Sequence, residues 1–321
     1  MAHPTDSGLP WQVPVMQAPM GPAATPALAV AVAEAGGIGS LGASWTELGV
    51  LRAQLRGIRR LTERPVCVNL VLAFEQAERL ELVLDEGVEL ISFSWGVDAA
   101  LVSRAHAAGA TVMAQAGSAG EARAAVDAGC DAVVAQGIEA GGHVQGEVGV
   151  LALVAELSRS LPVPVLAAGG IADARGVRAA MAAGAAGAVI GTRFLATPEA
   201  DVHPDWAARL IAASAGDTVL TGLFDGGWPA APHRVLRNST YRAWDTAGRP
   251  PAGSRPGEGE IVARHLDVEI ERYAADEPRR ATAGDLEAMC LYAGQGVGLV
   301  TAIEPAADVV SRIASELRAR P

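Results

Sequence analysis

Several common protein classes are excluded by what this chain has little of. It carries three cysteines in 321 residues, Cys67, Cys130 and Cys290, all far apart. No CxxC pair is present to suggest zinc or a redox motif, and an odd count does not suggest a disulfide framework. Cys67 and Cys130 fall in apolar runs and read as packing. No segment sets histidines and carboxylates at metal-ligand spacing, so no metal site is expected. Cations are outnumbered, with a net charge of −11. That balance argues against nucleic acid as a partner, because neutralising phosphates takes clustered positive charge. The start of the chain lacks the basic segment and apolar core of a secretory signal. Residues 7–33 carry no charge, but Pro10, Pro14, Pro19, Pro22 and Pro26 interrupt them, so they do not read as a membrane span. The expectation is a cytoplasmic protein with no membrane and no nucleic-acid partner, and the sequence leaves a homo-oligomer open.

What the chain does have is a recurring punctuation. Ala35-Gly36, Glu86-Gly87, Ala108-Gly109, Ala128-Gly129 and Ala183-Gly184 each stand just before a short apolar run. Glycine just past a helix supplies the left-handed position that ends it. A short apolar run then reads as a strand buried on both faces. Between these runs lie Ala-rich stretches of helical periodicity, such as 118–127 and 173–182. Strands are expected at 13–17, 38–41, 66–70, 90–93, 111–115, 132–135, 165–168 and 188–190. About eight alternating units predict a (β/α)8 TIM barrel. A doubly wound open sheet is the alternative, but Gly36-Gly37-Ile38-Gly39 precedes a strand, whereas that fold's glycine fingerprint follows one.

The regular alternation stops after Arg193. A helix is expected over 203–217. Residues 222–284 are rich in Gly, Pro and Arg, and 248–257 reads as loop. Trp228, His233, Tyr241 and Trp244 argue against complete disorder there. The stretch reads as an insertion partly covering the barrel mouth. Helical periodicity resumes at 285–293 and again at 306–318, the last packed on the outside. The expected division is a barrel from 1–200 plus 285–321, with an insertion or lid segment at 201–284.

Three glycine-rich strand ends carry the chemistry. After the strand at 132–135 comes Gln136-Gly137-Ile138-Glu139-Ala140-Gly141-Gly142-His143. Its glycines let a ligand approach the backbone, and its imidazole suits proton movement near neutral pH. The seventh strand ends in Gly169-Gly170 and the eighth in Gly191-Thr192. In TIM barrels these two loops commonly bind phosphate through backbone N–H groups, and Thr192 adds a hydroxyl. His143 is therefore the candidate catalytic residue. His3, His106, His203 and His265 read as structural, and His233 as either a pocket or a surface residue. Trp11 and Trp95 read as packing or pocket wall, and Asp98 as a helix N-cap. Arg193 stands near the phosphate or pairs with an acid.

With these motifs in place, the chain resembles the nitronate monooxygenase family, formerly called 2-nitropropane dioxygenases. The matching segments are Gln17-Ala18-Pro19-Met20-Gly21-Pro22, Val68-Asn69-Leu70, 135–143, 167–171, Gly191-Thr192-Arg193-Phe194 and Tyr292-Ala293-Gly294-Gln295-Gly296. The resemblance implies an FMN-dependent TIM barrel that oxidises alkyl nitronates with O2 to a carbonyl compound and nitrite. Related flavin-dependent reductases of enoyl thioesters or quinones, drawing on NAD(P)H, give the alternative. A flavin-binding protein without turnover is the third reading. By position, the resemblance implies that Asn69 bonds the flavin ring, and that Gln136, Gly137 and Gly141 line it, with Gly141 leaving room for the ring. It implies that Gly169, Gly170, Gly191 and Thr192 hold the phosphate, that Met20 walls the pocket, and that His143 is catalytic. One departure stands out. Val144-Gln145 separate His143 from Gly146, where many members have a single residue.

Overall fold

The alternation predicted from the glycine punctuation is present in the structure, a computed structural model that describes residues 8–319. His3 lies outside the described residues. The barrel elements run β1 (Val15–Gln17), α1 (Pro26–Glu34), β2 (Gly39–Gly42), α2 (Leu48–Leu61), β3 (Val66–Val71), α3 (Ala77–Asp85), β4 (Leu90–Ser94), α4 (Ala99–Ala107), β5 (Thr111–Ala116), α5 (Ala119–Asp127), β6 (Ala132–Gln136), β7 (Gly142–His143), α6 (Val150–Ser160), β8 (Val165–Ala168), α7 (Ala174–Ala182), β9 (Gly187–Ile190) and the short α8 (Thr192–Leu195). Eight of these strands, all but β7, pair in parallel in the order β1-β9-β8-β6-β5-β4-β3-β2. Each lies within two residues of its expected position. The ends of the sheet meet through Ile38, whose N–H donates to Val15 O at 2.9 Å and whose carbonyl accepts from Gln17 N at 2.9 Å. The barrel is thereby closed, and the open-sheet alternative falls away.

Local chemistry starts the helices. Ser118 caps α5 by accepting from Glu121 N, and Asp173 caps α7 by accepting from Gly176 N. Asp98 accepts from the N–H groups of Ala100 and Leu101, the capping role expected of it.

Period-two alternation sorts the side chains into two cores. Trp11, Met16, Ile38, Cys67, Leu90, Met113 and Leu166 fill the barrel interior. Val68, Leu70, Ile91, Val133 and Ile190 point outward to the helices. Toward the C-terminal ends of the strands the inward positions turn polar, with Asn69, Ser92, Ser94 and Gln136 all buried. That change from apolar to amide and hydroxyl marks the floor of the site.

Beyond Leu195 the expectations need correction. The helix expected over 203–217 ends early as α9 (Pro204–Ala212), followed by one 3-10 turn. The 222–284 stretch is not irregular throughout. The strands β10 (Thr218–Thr221) and β11 (His233–Leu236) pair antiparallel, and β11 pairs in turn with β7 of the barrel. Helix α10 (Ser239–Thr246) follows, then a second small sheet of β12 (Ile261–His265), β13 (Val268–Glu271) and β14 (Thr282–Gly284). Buried polar residues such as Arg234 and His265 obscure the alternation that would reveal such short strands. The 248–257 loop is irregular, as expected, but Arg255 pins it. Its guanidinium reaches Leu223 O at 3.0 Å, Asp225 at 2.9 Å and Glu258 at 2.7 Å.

Residues 285–293 form a single 3-10 turn at Leu286–Ala288 rather than a helix. The following residues are extended beside β11, with Leu236 N donating to Leu291 O at 2.8 Å. Cys290 and Leu291 face different apolar clusters, the alternation of an extended chain rather than of a helix. Helix α11 (Ala306–Arg318) packs outside against α1 and α7, as expected. No helix among the described residues is long and apolar enough to cross a membrane.

Arg193 takes the second of its two expected roles. It is 2% exposed and pairs with Glu304 Oε2 at 2.6 Å, while donating to Ala302 O at 2.9 Å. This pair ties α8, at the end of the barrel, to the segment that leads into α11. Removing one member of a fully buried pair costs 3–5 kcal/mol. Glu304 is 30% exposed and keeps Arg312 as a partner. Arg193→Ala should therefore cost less, about 2 kcal/mol, read as a lowered urea midpoint with an unchanged slope.

Candidate active site

The polar strand ends form the floor of a cavity of about 540 Å³. Active sites of this fold occupy that end of the barrel. Asn69 is fixed by its neighbours on β4: its amide donates to Ser92 O at 3.2 Å and Oγ at 2.7 Å, and Ser94 Oγ donates to its Oδ1 at 3.3 Å. Gln136 clamps the histidine loop from both sides. Its Nε2 donates to His143 O at 2.9 Å, and its Oε1 accepts from Gln145 N at 2.9 Å. Asn69, Met20, Gln136, Gly141, His143, Gly169, Gly170, Gly191 and Thr192 all line the cavity. Gly137 does not; a Cβ there would run into Glu139 and Val150 behind the wall.

The glycines have a reason beyond ligand approach. Gly141 and Gly294 lie backbone to backbone: a Cβ on Gly141 would collide with Gly294 N, and one on Gly294 would stand 2.8 Å from Gly141 N. Gln295 N donates to Glu139 O at 2.9 Å across the same contact. The room Gly141 leaves is thus taken by the chain itself, not left for a ring as expected. Gly169 and Gly170 adopt φ of +117° and +69°, conformations that other residues rarely adopt. Thr192 Oγ1 accepts from Gly294 N at 2.9 Å, leaving its hydroxyl proton to donate elsewhere.

His143 sits on β7 directly opposite His233 of β11. The surface reading of His233 is wrong, because the residue is completely buried. Its Nε2 accepts from Phe224 N at 3.2 Å, so its proton lies on Nδ1, which faces Ala231 O at 3.0 Å. Both nitrogens are used by the neutral ring. His143 differs: its Nε2 is buried with no hydrogen-bond partner. Around it stand Trp228, stacked at 4.3 Å between centroids, with Trp95 at 6.2 Å and Tyr292 at 5.7 Å. Burial, and then the neighbouring His233, push its pKa down from 6.5 to about 3. An imidazole in this setting is neutral across the working pH range. His106 pairs with Asp131, His203 caps α9 and His265 meets Thr282, the structural roles expected of them.

Sequence reasoning missed several residues of the wall. Trp228 was legible only as an aromatic between Gly227 and Pro229 that argued against disorder. Tyr292 lines the cavity and donates to Ala275 O at 2.9 Å. Glu277 also lines it, and burial pushes its carboxyl up to about 7. Nothing in its local sequence marked it. Arg234 holds the histidine loop from outside the cavity, donating from Nε and Nη2 to Ile138 O at 3.1 and 2.8 Å.

This arrangement has counterparts in known proteins. The family model described as nitronate monooxygenase matches residues 6–78 and 72–316. The chain belongs to the nitronate monooxygenase family. It is an enzyme, a flavin-dependent oxidoreductase. A nitronate monooxygenase from Pseudomonas aeruginosa is 32% identical over 355 aligned positions, covering 96% of this chain and 97% of that protein. A (3aS,4S,5R,7aS)-5-hydroxy-7a-methyl-1-oxo-octahydro-1H-indene-4-carboxyl-CoA dehydrogenase from Mycobacterium tuberculosis is 37% identical over 239 residues. That match covers 74% of this chain and 66% of the relative's length. Among solved structures, FabK from Thermotoga maritima is 34% identical, with a TM-score of 0.82 over 96% of this chain and 93% of its own. Proteins similar to this chain thus carry names from different chemistries, and the choice among them falls to the cavity.

The two shifted groups give opposite pH signatures. His143 has a folded pKa below its unfolded value of 6.5, so its contribution to stability is present above 6.5 and is lost as pH falls toward about 3. Glu277 has a folded pKa above its unfolded 4.5, so its contribution is full below 4.5 and is lost as pH rises through about 7. His143→Leu should therefore flatten the loss of stability on acidification. Glu277→Gln should raise stability at pH 8 more than at pH 4. Urea titrations at pH 4, 6 and 8 check both, and equal pH dependence in all three proteins would contradict these environments.

Proposed function

We propose that this enzyme binds FMN and oxidises alkyl nitronates with O2, releasing a carbonyl compound and nitrite. The observation that carries the reading is the neutral, buried imidazole of His143, a residue of the cavity wall whose Nε2 has no hydrogen-bond partner. The rest of the cavity fits the cofactor. Gly169, Gly170, Gly191 and Thr192 end two consecutive strands and suit a terminal phosphate. Asn69 and Gln136 offer fixed amides for the edge of a polar ring. When bound, FMN supplies the redox chemistry, carrying electrons from the substrate to dioxygen.

The protein's part is positioning and electrostatics. A neutral His143 does not balance the charge of an anion as an imidazolium would. Its role is to form a hydrogen bond at Nε2, with the ring carrying its proton there when it faces a nitronate oxygen. A conjugate acid with a pKa of about 3 makes a weak general base for a carbon acid. The site therefore suits the ionised nitronate better than the neutral nitroalkane. Trp228, Trp95 and Tyr292 exclude water around the imidazole, which strengthens that one hydrogen bond. Residues 226–228 and 275–277, both from the expected lid segment, supply part of the wall and act as the cover of the site.

Oxygen uptake and nitrite release with propyl nitronate, without any nicotinamide, test this reading. His143→Ala should retain FMN and lose about 100-fold in kcat/KM, the usual effect of deleting one preorganised donor. His143→Asn should recover at least part of that loss on the pre-formed nitronate. Rapid flavin reduction by NADH with no nitrite from any nitronate would instead favour a reductase of quinones or enoyl thioesters.

The phosphate site has its own test. A Cβ on Gly191 would meet Ala18 at 3.5 Å and Met20 Sδ at 3.8 Å, ordinary contacts. Gly191→Ala should therefore keep FMN, while Gly191→Leu should release it by filling the anion's space. Retention of stoichiometric FMN by the leucine variant would move the phosphate elsewhere.

A further inference from the structure

A second cavity of about 370 Å³ lies beside the first. Trp95 and Gln115 line both. The pairing of β4 with β5 ends at Phe93 and Ala114. Beyond that point the strands part, and Trp95 turns to a φ of +58°, a conformation uncommon for a bulky residue. The gap is filled by one side chain from the loop after β7. Gln145 Oε1 accepts from Trp95 N at 3.1 Å and from Gln115 Nε2 at 2.7 Å. It replaces the ladder bond that β5 no longer provides. Gln145 also lines the second cavity, together with Val97, Ala114 and Ala125. It belongs to the Val144-Gln145-Gly146 loop that departs from the family's usual spacing.

We propose that the second cavity is a side subsite for the unbranched apolar tail of the substrate, with Gln145 as the gate between it and the flavin cavity. The proposal rests on the reading that the reacting head sits at His143. Three features support it. The two spaces are separated by side chains, not by a paired stretch of strand. The gate is held by two hydrogen bonds to a single oxygen, from Trp95 N and Gln115 Nε2, the two residues common to both linings, so rotation of Gln145 frees the wall they share. The volume falls within the range of small-ligand pockets, and Val97, Ala114, Ala124 and Ala125 offer apolar contact to methylenes, while the polar lining residues Gln115, Gln145 and Glu121 already have partners, Glu121 accepting from Gly117 N at 2.6 Å. Short substrates stay in the first cavity, and longer ones displace the Gln145 amide and extend along α5.

The test measures binding rather than turnover, so it does not depend on the nitronate reaction. Straight-chain carboxylates from propionate to octanoate are flat monoanions that mimic the head of a nitronate. Their dissociation constants are read from the flavin absorbance of the FMN-loaded enzyme and from calorimetry. Each buried methylene should tighten binding about fourfold. Gln145→Ala should raise the octanoate-to-propionate affinity ratio at least tenfold over the native protein. Adding Ala124→Trp, on the exposed face of α5 that borders the second cavity, should bring the ratio back to the native value or below. Ala124→Trp alone leaves Gln145 in place and should lower the native ratio, which keeps the test decisive if the Gln145 variant folds poorly. An unchanged ratio in Gln145→Ala, or a ratio that stays high when Ala124→Trp fills the cavity, would overturn the proposal. Loss of nitrite formation with this pattern intact would instead reject the reaction while keeping the subsite.

Discussion

Gly141 and Gly294 approach too closely for a side chain on either, and the architecture of the site follows from that contact. One glycine belongs to the loop after β6. The other lies over 150 residues later, in the extended segment after the 3-10 turn at Leu286–Ala288. Their contact lets Gln295 N reach Glu139 O and Gly294 N reach Thr192 Oγ1. Three loops that line the cavity are thereby locked to one another by backbone groups. A bulkier residue at either position would push Gly294 away from Thr192 and His143 away from β11. Two sequence motifs far apart in the chain are one structural unit.

This lock shows why the barrel was legible in the sequence and the periphery was not. Each barrel strand is buried on both faces, so it appears as a continuous apolar run, and five of them follow a left-handed glycine that ends the helix before. That signal is local, and all eight strands fell within two residues of their expected places. The site glycines and His143 were legible for the same reason, since they sit at strand ends. The small sheets carry no such signal. Strand β11 contains His233 and Arg234, polar residues buried because each finds specific partners: Phe224 and Ala231 for the imidazole, Ile138 and Thr218 for the guanidinium. Partners distant in sequence cannot be read from composition. The same blindness hid the extended path of 289–292, where contiguous apolar residues imitate a buried helix until their two opposite packing partners are known.

The electrostatics of the site depend on which of two facing histidines has its nitrogens occupied. His233 spends both on the backbone, so protonation would set an N–H against the Phe224 N–H donor. It is a structural histidine, held neutral by geometry as well as by burial. His143 meets the same burial without the backbone partners. The energetic cost of an unmet buried nitrogen is one that any group able to complete its hydrogen bond would offset. A binding site that leaves one polar group unsatisfied gains selectivity for ligands able to complete it. Glu277 and Asp276, which also line the cavity, work against any anion, and most strongly once Glu277 ionises above about 7. Anion binding should therefore weaken in the alkaline range even though His143 itself does not titrate there.

The 201–284 segment also shapes the frame around His143 rather than only bordering the cavity. His143 stands on a two-residue strand whose antiparallel partner is β11, and β11 itself lies within the inserted segment. The backbone of His143 is thus held between Gln136 from the barrel floor and the small sheet above. Trp228 leaves that same sheet region between Phe224 and His233 and returns to stack on the ring. Its loop includes Gly227 at φ +89° and Ala230 at φ +61°, a tight course that directs the indole back toward the barrel. Any movement of the insertion must move either the partner strand of His143 or the ring stacked upon it. Access to the cavity and the placement of the imidazole are therefore coupled through one short sheet, which explains why so small an element as β7 interrupts an otherwise regular barrel between β6 and α6.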